Sequence, residues 1–132
     1  MTPELTVLAL AVLLQVGQYM IFSITANLQV GVGYALSPRD EHRPLTGLAG
    51  RLERTLRNHF EALMLFAPVV LVVTASGQSS GLTATCAWLF LAARVVYLPA
   101  YAFGWVPWRS LIWAVGFFAT AVMLLAALVS AA

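Results

Sequence analysis

Charge is scarce in this sequence of 132 residues, and lysine is absent altogether. Charged residues make up 9% of the chain, hydrophobic residues make up 61%, and every basic residue is an arginine. A net charge of +2 without a basic tract excludes an arm that binds nucleic acid and a polybasic segment that binds anionic lipids. We therefore expect the chain to contact membrane lipids through its apolar surface and to bind no nucleic acid.

Residues that form disulfides or bind metals are equally few. The single cysteine, Cys86, cannot form an internal disulfide and lies among apolar residues, so we interpret it as a packing residue rather than a reactive thiol. With two histidines in the chain, His42 and His59, no metal-binding set of usual spacing exists. His42 is predicted to be a solvated loop residue. We therefore expect no metal cofactor.

Long apolar runs, in contrast, dominate the chain. The mean hydropathy is +0.89, and stretches of about 18 or more apolar residues are typical of transmembrane helices. The length favours one domain over residues 1–132. The sequence thus predicts an all-α membrane protein, a bundle of four transmembrane helices in a single domain. The predicted spans are Pro3–Leu28, Leu48–Ala75, Leu82–Phe103 and Trp108–Ala131.

The arginines are distributed unevenly among the loops. Loop 1, over residues 30–50, and the start of the second span contain Arg39, Arg43, Arg51 and Arg54. Arg109 borders loop 3, whereas loop 2, over residues 77–81, has no charge. Because arginine-rich loops stay in the cytoplasm, loops 1 and 3 are predicted to be cytoplasmic and both termini to lie on the opposite side.

A polar face interrupts the first span. It consists of Gln15, Gln18, Thr25 and Gln29, with Phe22 among them. In lipid such groups turn inward, so we expect them either to bond to other helices or to line a ligand cavity.

The densest polar stretch opens the second span, at residues 51–61. On a helix its polar residues fall within one face roughly 120° wide. This charged stripe consists of Arg51, Arg54, Arg57, Asn58 and Glu61. A charged stripe that continues into an apolar helix is costly in a membrane unless it faces protein or water, so it predicts a functional site. His59 points away from the stripe and is assigned no catalytic role.

The third span presents a matching face that consists of Arg94, Tyr97 and Tyr101. If the hairpin turns near residues 78 and 79, Glu61 lies level with Arg94 and Tyr97, on the order of 12 Å deep. We therefore expect an ion pair between Glu61 and Arg94, and Arg57 close to Tyr101. Because arginines outnumber glutamates at this end, the site suits an anionic ligand, with arginine forks for carboxylates.

Three motifs, in order and over nearly the whole chain, resemble the MAPEG superfamily, the membrane-associated proteins in eicosanoid and glutathione metabolism. The second-helix hallmark of an arginine, Arg-Asn and then a glutamate occurs at residues 53–61. The third-helix pattern of an arginine followed by tyrosines occurs at residues 94–101, and the fourth helix opens with Arg109 and Ser110. The loop at residues 37–41 is similar to that of prokaryotic members.

The resemblance implies a homotrimer in a bacterial inner membrane, with glutathione bound between neighbouring subunits on the cytoplasmic side. Carried over by position, the glutathione-binding residues are Arg54, Arg57, Asn58, Glu61, Arg94, Tyr97 and Tyr101. Arg109 would stabilise the glutathione thiolate, with Ser110 assisting by hydrogen bonding, because a cation near a thiol lowers its pKa and supplies the nucleophile. The implied function is that of a glutathione-dependent transferase or peroxidase acting on a lipophilic electrophile or lipid hydroperoxide.

Two alternatives accompany this interpretation. The family also contains a non-enzymatic, scaffold-like member, so the chain is alternatively a non-catalytic protein that binds lipid or a partner through the same cavity. A small four-helix multidrug exporter would need an acidic residue deep in the first span. The only acid there is Glu4, at the end of the span, which disfavours the exporter.

Overall fold

The computed structural model describes residues 1–41 and 43–131 as a bundle of four long helices. The elements are α1 (Pro3–Val30), α2 (Val32–Ala35), α3 (Gly47–Ala75), α4 (Gly81–Ala102) and α5 (Trp108–Ala131). The four predicted spans are therefore confirmed, with every end within two residues. The single turn α2, inside loop 1, was not predicted. His42, predicted to be a solvated loop residue, lies outside the described residues.

Helices α1, α3, α4 and α5 are each long and apolar enough to cross a membrane. Large apolar side chains on their outer faces are exposed, as at Leu13 (64%), Met64 (75%) and Leu125 (59%). Exposing so much apolar surface to water would be unfavourable and would promote aggregation, whereas the apolar interior of a lipid bilayer solvates it. The chain is therefore an integral, multi-pass membrane protein.

The turn between α3 and α4 is closed by hydrogen bonds of the chain itself. Gly77 has a φ of 69°, and the N–H groups of Gly77 and Gln78 donate to the carbonyls of Thr74 and Val73. This is the Schellman pattern, in which glycine ends a helix in the left-handed conformation. Ser80 then caps α4 by exchanging hydrogen bonds with Thr83. The hairpin is thus fixed by local sequence.

The apolar core occupies the half of the bundle near the two chain termini. Its centre is the stacked pair of Phe66 and Phe90, whose ring centroids are 3.9 Å apart. Cys86 is 6% exposed within this core, which confirms that it is a packing residue. We call this region the apolar half; its buried residues are Val7, Ala11, Phe66, Val69, Val70, Val73, Cys86, Ala87, Phe90, Ala119, Met123 and Ala127.

The polar face of α1 behaves only in part as predicted. The Gln29 carboxamide exchanges two hydrogen bonds with the backbone of Thr46, at 3.0 and 2.8 Å, and so connects α1 to the start of α3. Thr25 instead donates to the carbonyl of Ile21 in its own helix. Gln15 and Gln18 are buried, but their side chains find no hydrogen-bond partner in the described part of the chain. Bonding between helices is therefore confirmed for Gln29 alone.

Candidate functional site

The charged stripe lies along the first turns of α3, in the half of the bundle next to loop 1, which we call the arginine half. Arg54, Arg57 and Glu61 are exposed, and Asn58 is half-buried. The Arg57 guanidinium lies 3.0 Å from the carboxylate of Glu53, one turn earlier. Because this ion pair is exposed, it stabilises the fold little.

Tyr101 joins three helices at one point. Arg54, on α3, donates from Nε to the Tyr101 hydroxyl at 2.9 Å. Arg109, on the first turn of α5, places its guanidinium carbon 4.9 Å from the Tyr101 ring centroid, within the range of a cation–π contact. We call Arg54, Tyr101 and Arg109 the tyrosine junction. The predicted thiolate-stabilising arginine thus shares a tyrosine with a predicted glutathione-binding arginine, while Ser110 is exposed beside it.

Arg51 holds the end of α4 against α3. Its Nε donates to the carbonyl oxygen of Ala102 at 2.7 Å. The last carbonyls of a helix have no partner within that helix, so this arginine satisfies one of them from outside. The tether helps to fix the position of Tyr101, the residue before Ala102.

Arg94 is the deepest of these arginines, with 2% of its surface exposed. It donates from Nη1 to Oδ1 of Asn58 at 2.8 Å and from Nε to Nδ1 of His59 at 3.1 Å. Its guanidinium lies over the Tyr97 ring, 4.4 Å from the centroid, and Tyr97 is itself buried. Among the residues that the structure describes, nothing accepts a hydrogen bond from the buried Nη2 of Arg94.

The predicted ion pair between Glu61 and Arg94 is wrong. Throughout residues 1–41 and 43–131, the salt bridges join Arg43 to Glu41 and Arg57 to Glu53. Arg94 instead bonds to Asn58 and His59, almost one turn nearer the start of α3. Arg54 is the arginine bonded to the Tyr101 hydroxyl, while Arg57 bonds to Glu53. The proximity of Arg57 to Tyr101 stays a prediction.

The reach of the Arg94 side chain, and not the register of the hairpin, explains the difference. Counting residues symmetrically about the turn places Phe66 almost opposite Phe90, and these two rings are indeed stacked. The backbone register of α3 and α4 is therefore close to the predicted one. The long side chain of Arg94 extends along α3 toward the start of that helix, where Asn58 and His59 accept its hydrogen bonds.

Glu61 and Arg94 nevertheless line one cavity of about 160 Å³ between α3, α4 and α5. Its walls include Leu65 from α3 and the aromatic residues Trp113 and Phe117 from α5. Because Trp113 follows Arg109 by four residues, the two lie on the same face of α5. The cavity therefore offers apolar surface one helical turn from the tyrosine junction.

His59 is the residue that reasoning from the sequence missed. It is fully buried, and its Nε2 lies 2.9 Å from the carbonyl oxygen of Ala11 in α1. It does lie off the charged stripe, as predicted, but the face on which it lies is the one that contacts Arg94 and α1. The signal available in the sequence was a row of apolar residues at seven-residue spacing, Leu52, Phe66 and Val73, in which His59 takes the remaining position. All four are buried in the structure. A histidine in such a row needs partners from other helices.

The sequence pattern of the MAPEG family matches residues 4–129, which include all the predicted site residues and nearly all of the four long helices. No curated protein and no solved structure matches the chain. The family match identifies a membrane protein of the kind related to glutathione and eicosanoids. On this match over essentially its whole length, the chain belongs to the MAPEG family.

Proposed function

We propose that the protein is a glutathione-dependent membrane transferase or peroxidase that acts on a lipophilic electrophile or a lipid hydroperoxide. The observation that carries this proposal is the tyrosine junction, where Arg109 from α5 and Arg54 from α3 meet on the Tyr101 side chain of α4. Two guanidinium groups held on one aromatic ring favour an anion beside them.

The side chains around this junction fit glutathione by charge and by hydrogen-bonding capacity. Exposed Arg54 and Arg57 suit its two carboxylates, since guanidinium forks bind carboxylates with paired hydrogen bonds. Exposed Glu61 suits its ammonium group. The buried Nη2 of Arg94 is a donor in need of an acceptor, and Asn58 and Tyr97 lie against the same guanidinium. A ligand oxygen there would relieve the cost of an unsatisfied buried donor.

In this proposal Arg109 stabilises the thiolate of bound glutathione, and Ser110 donates a hydrogen bond to it. The thiolate sulfur then attacks the electrophilic atom of the second substrate, and the leaving group departs with the displaced electron pair. The cavity beside Glu61, Arg94 and Trp113 supports a lipophilic second substrate, because it is lined largely by apolar and aromatic side chains next to the junction.

The proposal includes an assembly and an orientation. We propose a homotrimer in a bacterial inner membrane, with each glutathione bound between neighbouring subunits. Loops 1 and 3 and the arginine half face the cytoplasm, and both termini lie on the other side. This orientation is supported by the arginine-rich loop 1 and by the absence of charge in loop 2.

The test is formation of the glutathione thiolate in purified protein, followed by ultraviolet difference absorbance. We expect a thiolate signal from the wild-type protein. Arg109→Ala should reduce this signal and the rate of conjugation by at least about 100-fold, because a charge-stabilising donor is removed. Glutathione affinity in that variant should stay largely intact. Arg39→Ala is the matched control, since this loop arginine bonds to the carbonyl of Ala35 and takes no part in the junction.

Two outcomes would contradict the proposal. If no thiolate forms and no conjugate appears across a panel of electrophiles and lipid hydroperoxides, the enzyme is excluded, and the alternative of a non-catalytic lipid- or partner-binding protein stands. If Arg109→Ala loses glutathione affinity as strongly as thiolate signal, Arg109 is a binding residue rather than a catalytic one.

A further inference from the structure

His59 links three helices in the middle of the bundle, although nothing in the proposed chemistry uses it. Its Nε2 lies 2.9 Å from the backbone oxygen of Ala11 in α1, and its Nδ1 accepts from Nε of Arg94 in α4 at 3.1 Å. The side chain is fully buried. A core histidine that only joined α1 to α3 would need the first contact and not the second.

These two contacts determine which ring nitrogen carries the proton. The carbonyl oxygen of Ala11 can only accept, so Nε2 must carry a hydrogen. The guanidinium of Arg94 can only donate, so Nδ1 must present its lone pair. His59 is thus the neutral Nε2–H tautomer, because a proton on Nδ1 would face the Arg94 N–H donor.

The same contacts determine the orientation of Arg94. A guanidinium is planar, so fixing two of its nitrogens fixes the direction of the third. His59 fixes Nε and Asn58 fixes Nη1, from adjacent positions on α3. The Tyr97 ring lies against one face of the group at 4.4 Å. Nη2 is the nitrogen left without a partner in the described chain.

We infer that His59 is a positioning residue, which orients the Arg94 guanidinium through Nδ1 so that Nη2 is held ready for an acceptor on the ligand. The anchor is rigid, because the imidazole is itself fixed by a backbone oxygen of α1 rather than by a mobile side chain. This inference rests on the proposed function only in naming glutathione as the ligand that supplies the acceptor. The contact between His59 and Arg94 is independent of it.

The first experiment tests the hydrogen bond from Arg94 to His59 in the absence of any ligand. Purified protein with ¹⁵N-labelled histidine, in detergent micelles, is examined by NMR, and His42→Gln assigns the two histidines. We expect His59 to be neutral, with the proton on Nε2, and its Nδ1 resonance to move when Arg94 is replaced in Arg94→Met. A proton on Nδ1, a charged imidazolium, or an Nδ1 resonance unaffected by Arg94→Met would overturn the inference.

The second experiment uses two substitutions that each keep one half of the imidazole. Asparagine places an oxygen where Nδ1 stands, whereas glutamine places an N–H where Nε2 stands. We expect His59→Asn to bind glutathione within about threefold of the wild type, because Arg94 keeps its acceptor. His59→Gln and His59→Leu should bind about tenfold more weakly. Equal losses in the asparagine and glutamine variants, or a smaller loss with glutamine, would overturn the inference.

The two experiments separate this inference from the function on which it draws. If the wild-type protein binds no glutathione, the proposed function fails, and the NMR result alone decides whether His59 orients Arg94. If glutathione binds but the NMR signature is wrong, the function stands and the positioning role is refuted. Thermal unfolding of each variant shows whether a weaker affinity merely follows from a less stable fold.

Discussion

In the apolar half of the bundle the helices meet through aromatic and aliphatic side chains, whereas in the arginine half they meet largely through guanidinium groups and the oxygens and nitrogens around them. Phe66 and Phe90 stack between α3 and α4 in the first region. In the second, Arg51, Arg54 and Arg94 reach from one of these two helices to the other through hydrogen bonds. One helix pair thus uses two kinds of contact along its length.

This difference shows how a membrane protein can keep charges among its helices. In a bilayer, apolar side chains contact lipid tails about as favourably as they contact one another, because both are apolar. Apolar packing between helices is therefore favoured only where the atoms fit together more closely than lipid would fit against them. A misplaced arginine, in contrast, costs several kcal/mol unless its donors are paired. The apolar half can therefore hold the helices together by close packing. In the arginine half, directional hydrogen bonds fix how the helices are placed relative to one another. Nη2 of Arg94 has no hydrogen-bond partner among the described residues, and we propose that an oxygen of the ligand supplies one.

Glu4, at the outer end of the apolar half, differs from the residues around it. Glu4 is fully buried, and its carboxylate accepts hydrogen bonds from the hydroxyls of Ser79 and Thr83. These contacts attach the first turn of α1 to the turn between α3 and α4. These donors are neutral hydroxyls, and within residues 1–41 and 43–131 no cation forms a salt bridge with the Glu4 carboxylate, unlike the anion site proposed for the arginine half.

The largest effect on stability is expected from breaking the stack in the apolar half. Phe66→Ala should lower the free energy of unfolding by about 3 kcal/mol, because a buried aromatic ring is lost and a cavity remains. Reversible unfolding in mixed detergent micelles measures this change. Phe66→Leu is the control, and we expect a loss below about 1.5 kcal/mol.

We expect Phe66→Ala to weaken packing in the apolar half without weakening ligand binding in the arginine half. Glutathione affinity of folded Phe66→Ala should remain within about twofold of the wild type, because Phe66 itself does not line the cavity beside Glu61 and Arg94, although its stacking partner Phe90 does. If the affinity for glutathione fell in proportion to the free energy of unfolding, packing in the apolar half and ligand binding in the arginine half would be energetically coupled.

The second effect concerns the buried carboxylate. Glu4→Ala should destabilise the fold by about 2 kcal/mol, because Ser79 and Thr83 lose a charged acceptor. Thermal unfolding measures the change, with Glu41→Ala as the control, since Glu41 is exposed in loop 1 and should alter stability by less than about 0.5 kcal/mol. Equal stability of both variants would show that Glu4 contributes nothing to joining α1 to the hairpin.

Structural features that depend on a single helix were predicted more accurately from the sequence than contacts between two helices. Apolar run length predicted the ends of the four long helices to within two residues, because lipid thickness imposes that length on any span. Helical periodicity placed Arg54, Arg57 and Glu61 on one exposed face of α3. Both predictions depend only on geometry within a single helix, where each residue advances and rotates by a known amount.

Predictions that joined two helices were weaker. The side chain of Arg94 extends toward the start of α3, so it bonds to His59 and Asn58 rather than to Glu61. Periodicity gives the direction of a side chain, but not the depth of its partner on another helix. A long side chain such as arginine can reach a partner about one turn above or below its own position, and contacts with the other helices decide which.

A smaller effect is expected where α1 meets the start of α3, at the edge of the arginine half. Gln29→Ala removes both hydrogen bonds to the backbone of Thr46 and should cost about 1 kcal/mol of stability, since the pair is exposed and water replaces part of it. Thr25→Ala is the matched control, because its hydroxyl bonds only within α1. A loss no greater than that of Thr25→Ala would show that Gln29 does not connect the helices.

The smallest effect on stability, and the sharpest contrast between the halves, is expected at Arg57. Its ion pair with Glu53 is exposed, so Arg57→Ala should change the free energy of unfolding by less than about 0.5 kcal/mol. If Arg57 binds a glutathione carboxylate, the same variant should lose affinity by about tenfold, measured by calorimetry. Glu53→Ala removes the same ion pair and should leave the affinity unchanged or slightly higher, because it releases Arg57. If Arg57→Ala and Glu53→Ala lost affinity equally, the ion pair between Arg57 and Glu53 would be needed for binding as a unit. Ligand binding in the arginine half would then require its internal bonds rather than free guanidinium donors.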